Sequence, residues 1–211
     1  RMPYGGGVRA LEHHSESREA TYAHFPGLKV VIPSTPRNAR ALLRAAIADP
    51  DAVVFMEPKH SYRAWREEVP EAPEELPIGK AEIKRAGTDV TLVSHSKMVT
   101  VALKAAEQLA EEGISAEVID VATLTPLDFP TIAESVAKTG RCVIVHEAPK
   151  TAGFGAEIAA RLAEQSMYDL VAPVERVTGY DTHIPLFRLE MKYLPSVDKI
   201  VAAARRAMAY S

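Results

Sequence analysis

The chain has 211 residues, about one and a half times a domain of roughly 150, and 47% of them are hydrophobic and 25% charged, which excludes a disordered or collagen-like protein. With 25 basic against 28 acidic side chains the formal charge is −3, so no basic surplus argues for nucleic acid, and apolar runs such as Val201–Ala204 are far too short to span a bilayer. The single cysteine, Cys142, excludes a disulfide framework and a cysteine-based zinc site, and fits a reducing compartment. No nucleic-acid partner and no membrane are expected.

The chain opens on Arg1-Met2-Pro3-Tyr4 and Gly5-Gly6-Gly7, which matches no secretory signal, and a first residue other than Met is expected of a processed or cut chain. A helix is predicted over Arg18–His24, with Ser17 as its cap and Glu19 in the first turn. Strands follow at Leu28–Ile32 and Ala52–Met56. Residues 61–76 then break the rhythm with two prolines, five glutamates and little periodicity, which predicts an inter-domain linker. Further strands are predicted at Val90–Ser94, Ala116–Val121, Arg141–His146 and Val174–Thr178.

Helical spacing separates these later strands. Val99, Leu103, Ala106 and Leu109 share a face, with Ser96 available as cap and Gly113 as stop; Phe129, Ile132 and Val136 follow Asp128 and end at Gly140. Phe154, Ile158 and Leu162 mark a third helix, and Val197, Ile200, Val201 and Ala204 a fourth, capped by Ser196. The strand runs are continuous rather than alternating, as in parallel sheets covered on both faces. The fold class is therefore α/β, built of βαβ units. The front 60 residues hold only two clear strands and two helices, so this piece is expected to be the tail of a larger domain or to lean on a partner.

Three segments hold residues suited to chemistry. His13-His14-Ser15-Glu16-Ser17 follows the triple glycine, and a histidine on such a loop can act as acid or base near neutral pH; a solvated loop histidine is the plainer alternative. The run from His146 through Glu147 to Gly153 and Gly155 leaves the C-terminal end of a strand, where α/β sheets place functional loops, but it lacks the third glycine of a dinucleotide fingerprint. Its glycines are expected to let a helix start close to a neighbouring element. Gly179–Pro185 is either a partner-binding loop or an Asx-type turn held by Asp181. His24, His60 and His95 read as ordinary loop or cap histidines. Adjacent histidines do not converge on one ion, and a serine-hydrolase elbow is absent.

Four long stretches, His13–Pro36, Ala45–Arg63, Lys138–Leu162 and Ala172–Pro185, together resemble the β-subunit of a thiamine-diphosphate-dependent 2-oxo acid dehydrogenase over nearly the whole chain. The His146-Glu147-Ala148-Pro149 and Gly179-Tyr180-Asp181-Thr182 strings lean toward the branched-chain (3-methyl-2-oxobutanoate) type. The resemblance implies a partial pyrimidine-binding domain followed by a transketolase C-terminal-type domain with a mostly parallel sheet. It divides the chain into residues 1–60, a linker at 61–84, and 85–211, and it places the cofactor-activating glutamate upstream of Arg1.

By the same resemblance, His14 (His13 if the register shifts by one) is the acid that protonates a lipoyl sulfur as the acyl group is transferred. Glu16 and Arg18 replace the family's glutamine and proline, and Glu16 would raise the pKa of His14 if the two came close. Asp49, in the Asp49-Pro50-Asp51 loop, is implied as a ligand of a structural potassium ion, with a plain turn as the alternative. No cofactor-binding residue is implied in this stretch of chain; thiamine diphosphate with Mg²⁺ belongs to the complete complex, and the chain alone is expected to be inactive.

The implied partners are the α-subunit, a second β-subunit and a lipoyl acyltransferase core, and the implied compartment is cytoplasmic, or the mitochondrial matrix in a eukaryote. Ala156, Ala159, Ala160 and Ala163 offer a small-residue face for self-association. A pyruvate dehydrogenase β-subunit and a transketolase-like enzyme are the enzymatic alternatives, and a non-catalytic docking module for the acyltransferase core is the alternative of another class.

Overall fold

The computed structural model describes residues 1–72 and 76–210; residues 73–75 of the expected linker, and residue 211, lie outside the described residues. The front part runs through strand β1 (Met2–Tyr4), helices α1 (Glu12–Ser15) and α2 (Glu19–Ala23), strand β2 (Lys29–Val31), helix α3 (Pro36–Ala48) and strand β3 (Val53–Pro58), then a 3-10 segment at Lys59–Arg63. The later part holds strands β4 (Glu82–Arg85) and β5 (Val90–Ser94), helix α4 (Met98–Glu111), strands β6 (Ala116–Asp120) and β7 (Thr123–Thr125), and helix α5 (Phe129–Thr139). Strand β8 (Cys142–Pro149), helix α6 (Phe154–Gln165), strand β9 (Glu175–Gly179) and helices α7 (Glu190–Tyr193) and α8 (Val197–Met208) complete it.

All six expected strands form. Val90–Ser94 keeps its expected bounds, whereas β8 runs past His146 to Pro149, so Glu147 sits in the sheet and not in a loop. Three strands escaped the sequence reading: β1 and β7 are three residues each, and β4 is a charged edge strand inside the residues read as linker. Strands that short carry too few side chains for a period to show. Two expected caps also differ. Ser96 sits at φ 61 one residue before the cap position of α4 and makes no cap bond, and Ser17 turns toward Glu147 while Arg18 begins α2. Ser196 does cap α8, accepting from the Lys199 N–H at 3.3 Å, and Gly140 ends α5 in the left-handed conformation.

The strands make two sheets. The second, in the order β4-β6-β5-β8-β9, is parallel except for the antiparallel edge strand β4. Because successive strand residues point to opposite faces, Leu92, Val118 and Val143 pack with α4 and α8, while Val93, Ile119 and Ile144 turn the other way, toward α5 and α6. The first sheet, in the order β1-β3-β2-β7, takes its fourth strand from the later part of the chain. Its Val30, Ile32 and Met56 lie in the same core as Ile119, Leu124, Phe129 and Ile158. The later half of the chain thus packs against the front piece through β7 and a shared core.

On α6, Ala156 and Ala159 are half-buried and Ala160 and Ala163 exposed. Among the described residues no helix is long and apolar enough to cross a membrane.

At Gly87 an added Cβ would press on the backbone of Ala116 and Glu117 at the start of β6. Backbone cannot yield as a flexible side chain does, so Gly87→Ala is expected to destabilise the protein by about 1–3 kcal/mol. Urea denaturation reads this directly; an unchanged midpoint would mean that the β4–β6 edge tolerates displacement.

Candidate functional site

Strand β1 delivers the chain to three glycines that press against the later half. Gly5 and Gly7 both hold φ 88, a conformation that favours glycine. A Cβ on Gly6 would meet Ile184 at 2.9 Å, and one on Gly7 would meet the Lys97 ammonium at 2.8 Å and the His60 ring at 2.9 Å. The three glycine N–H groups are all committed: Gly5 donates to the Glu16 carbonyl at 3.2 Å, Gly6 to Glu147 Oε2 at 2.9 Å, and Gly7 to Glu190 Oε1 at 2.5 Å. Ser17 Oγ, on the far side of the loop, also donates to Glu147 Oε2, at 3.5 Å.

His13 and His14 ride on α1 within this loop, exposed, with ring centroids 4.2 Å apart. Glu16 is paired with Arg18, whose Nε lies 2.6 Å from Oε2. Ser15–Arg18 then line one wall of a cleft of about 630 Å³, opposite Glu147–Pro149 and Asp181–His183. The last two segments are tied together, since the Thr151 N–H and Oγ donate to Asp181 at 2.7 and 2.9 Å. Asp181 thus links two loops and does not cap its own turn, and those bonds hold its carboxyl below the usual range. Gly153 and Gly155 do allow close approach: a Cβ on either would lie 2.7 Å from the His146 ring.

Nearby lies a set of polar side chains whose burial sequence reasoning missed. Both oxygens of Glu19 and both ring nitrogens of His95 and of His146 are buried without a hydrogen-bond partner among the described residues. His95 Nε2 stands 3.8 Å from Glu19 Oε1, and its ring stacks on His146 at 6.3 Å. Burial, then the neighbouring His146, lowers His95 to about 3; burial chiefly lowers His146 to about 4 and raises Glu19 to about 7. Burial also raises Glu147, opposed first by the charge of Lys97, whose own pKa is lowered by burial and supported by Glu147 and Glu190. His95 does lie in the connection between β5 and α4, as expected, but it is buried. Its only sequence signal is its place at the end of an apolar run, which does not tell a buried ring from an exposed one.

The implied ions and cofactor were tested against these residues. Asp49 gives both oxygens to the Lys29 ammonium, at 2.7 and 2.8 Å, and accepts the Asp51 N–H at 2.9 Å, while Asp51 lies 3.0 Å from the same ammonium. The Lys29 side chain already supplies the positive charge there, so Asp49 does not fit a potassium site. A diphosphate at the glycine loop would find its N–H groups committed and two buried carboxylates facing it, so the loop does not fit that end of thiamine diphosphate. Among the described residues no group of His, Cys, Asp or Glu could hold a metal ion.

Comparison with known proteins gives these features a context. The profile of transketolase pyrimidine-binding domains matches residues 1–64, and that of transketolase C-terminal domains matches residues 79–200. A pyruvate dehydrogenase E1 component β-subunit of Acholeplasma laidlawii is 48% identical over 206 residues, 98% of this chain and 63% of that protein. A 3-methyl-2-oxobutanoate dehydrogenase β-subunit of Mycobacterium tuberculosis is 47% identical over 209 residues, 99% of this chain and 60% of that one. A solved split-gene transketolase, described as an inactive β4 tetramer, superposes with a TM-score of 0.81 at 28% identity, over 99% of this chain and 65% of that structure. The chain thus spans less than two thirds of the length of these relatives.

The pKa of Glu19 has a consequence for stability. In the unfolded chain this carboxyl titrates near 4.5 and in the folded one near 7. Between those values the folded state binds more protons, so this group makes stability fall as pH rises, and adds nothing further above 7. Glu19→Gln removes the effect. The variant is expected to gain on its parent between pH 4.5 and pH 7, by up to about 3 kcal/mol at about 1.4 kcal/mol per unit. Paired urea titrations at pH 5 and pH 8 check it, and a difference that does not change with pH would rule out a buried titrating carboxyl.

Proposed function

The chain belongs to the transketolase family, with a pyrimidine-binding and a C-terminal domain in sequence, and from that premise we propose that it acts as a β-subunit of a 2-oxo acid dehydrogenase. The observation that carries the reading is spatial: Ser15–Arg18, Glu147–Pro149 and Asp181–His183, from three separated motif stretches, line one cleft. We divide the chain as residues 1–60, a linker at 61–84 and 85–211, with β4 as the point where that linker enters the second sheet.

The reaction proposed is oxidative decarboxylation of a 2-oxo acid with acyl transfer to a lipoyl group. The cofactor that the family implies, thiamine diphosphate, supplies the decarboxylating chemistry when bound, and its diphosphate end is assigned to the partner subunit. This chain's contribution is a proton. His14, with His13 beside it, donates to the lipoyl sulfur that is released when the dithiolane opens. An exposed imidazole on a small helix is held loosely in the free chain, and a positioned acid must be held tightly. The site therefore requires an α-subunit to cover the tip of the loop, and the exposed Ala160 and Ala163 of α6 suit a second β copy.

The branched-chain type is the substrate reading we favour. It rests on the His146–Pro149 and Gly179–Thr182 strings, which meet where Pro149 of β8 pairs with Gly179 of β9. The pyruvate type is the second reading, favoured by the 48% identity to the Acholeplasma laidlawii subunit. Turnover of 3-methyl-2-oxobutanoate against pyruvate by the assembled enzyme separates the two.

In the assembled dehydrogenase, His14→Ala is expected to slow acylation of a lipoyl domain by about 10²–10⁴-fold while 2-oxo acid decarboxylation, followed with an artificial electron acceptor, changes far less. Unchanged lipoyl acylation would remove His14 from the mechanism and favour a non-catalytic docking role.

A further inference from the structure

The loop from Gly5 to Ser17 is closed at its neck and fixed from one side. Gly5 N–H meets the Glu16 carbonyl, which brings the two ends of the loop together. Immediately inside one end, Gly6 N–H donates to Glu147 Oε2, and at the other end Ser17 Oγ donates to the same oxygen. One carboxylate oxygen on β8 therefore grips both limbs. Gly7 N–H goes to Glu190 at the start of α7. Both glutamates are buried, 5% and 1% exposed, and the Lys97 ammonium packed on Gly7 offsets their charge. Beyond the neck the loop has little of its own to hold it. Arg9 and Leu11 adopt φ 57 and 64, and the histidines at the tip are exposed.

We propose that Glu147 is the positioning residue for His14, stapling both limbs of the 5–17 loop to the later half of the chain, with Glu190 securing the loop beside it. The inference rests on the reading of His14 given above, but the staple itself can be measured without any chemistry. The Gly6 N–H and the Ser17 hydroxyl tie both limbs of the loop to one oxygen on β8, beside the Arg9 contact with the Phe187 ring, so the acceptor on β8 helps to set where the imidazole stands. An imidazole displaced by about 1 Å can lose about 10²-fold in the step it assists.

The test compares Glu147→Met, which keeps length and apolar burial but removes the acceptor, with Glu147→Gln, which keeps an amide oxygen in its place. Hydrogen–deuterium exchange on the full chain is expected to show amides of residues 5–17 exchanging at least tenfold faster in E147M, with β5 and β8 unchanged, and near-parental protection in E147Q. In the assembled enzyme, kcat for lipoyl acylation falls by about 10²-fold in E147M with the KM for the lipoyl domain unchanged, and E147Q recovers most of it. Should E147M fail to fold, Ser17→Ala reads the other limb, with faster exchange confined to residues 14–17. Exchange in residues 5–17 that stays parental in both E147M and S17A would overturn the staple. If the loop is freed but His14→Ala leaves acylation intact, the staple stands and the catalytic reading of its loop falls.

Discussion

Val30 and Val31 of β2 pair antiparallel with Thr125 and Thr123 of β7. Through that pairing a strand from the later half of the chain covers an edge that the front sheet would otherwise expose, and an unpaired edge is a template for association with other chains. The same short strand brings Leu124 into the core shared by Val30, Met56 and Ile158. Two consequences follow from one ladder. The front sheet shares its buried apolar surface with the later half, and its leading strand β1 leads to Gly5–Gly7, which run against Glu147 near the C-terminal end of β8.

A second seam continues from that ladder through the Ile32 N–H, which donates to the Ala122 carbonyl at 2.8 Å, and it is polar. Asp120, at the end of β6, accepts from Ser34 and from Asn38 in the front part and from the Ala122 N–H in its own loop. Asn38 also donates to Glu82 of β4 at 2.7 Å. Burial raises Asp120 to about 6, with the Ser34 hydroxyl pulling the other way. Buried carboxylates are costly unless bonded, and a bonded one is demanding about geometry. Asp120 on one flank and Glu147 on the other therefore fix the mutual placement of two sheets that an apolar core alone would allow to slide.

How much of this the sequence made legible depends on length and on burial. The six expected strands were readable because strands covered on both faces favour nearly continuous apolar or β-branched runs, even where Lys29, Glu117 or Glu175 interrupts them. The Ser196 cap and the Gly140 stop were readable because local geometry alone requires them. Three-residue strands were not readable, and the β4 edge was hidden because its charged side chains look like linker. Among candidate site residues, the His14 loop was visible through its glycines and its resemblance. Glu19, Glu147 and His95 were invisible as buried groups because sequence ranks polar residues as exposed, and only the tertiary seam between two sheets reverses that ranking. Asp49 is the opposite case. Its acidic loop suggests a cation, and the fold answers with Lys29, twenty residues away in sequence and on the neighbouring strand.

The division between the stem and the tip of the 5–17 loop then has a physical logic. Every strong constraint lies in the stem, where carboxylates, glycines and Lys97 are packed out of water and where rigidity costs nothing in access. The tip keeps His13 and His14 in solvent, as the proposed reading requires of a group that would reach an incoming disulfide. Precision at the tip then has to come from two directions: from below, through the stem, and from above, through whatever surface closes over α1. On the proposed reading, a chain built this way holds an uncovered imidazole on its own, which would become a positioned acid only when a partner removed the remaining freedom. The buried glutamates and the exposed histidines are thus two parts of one arrangement, in which the fold supplies placement and assembly supplies enclosure.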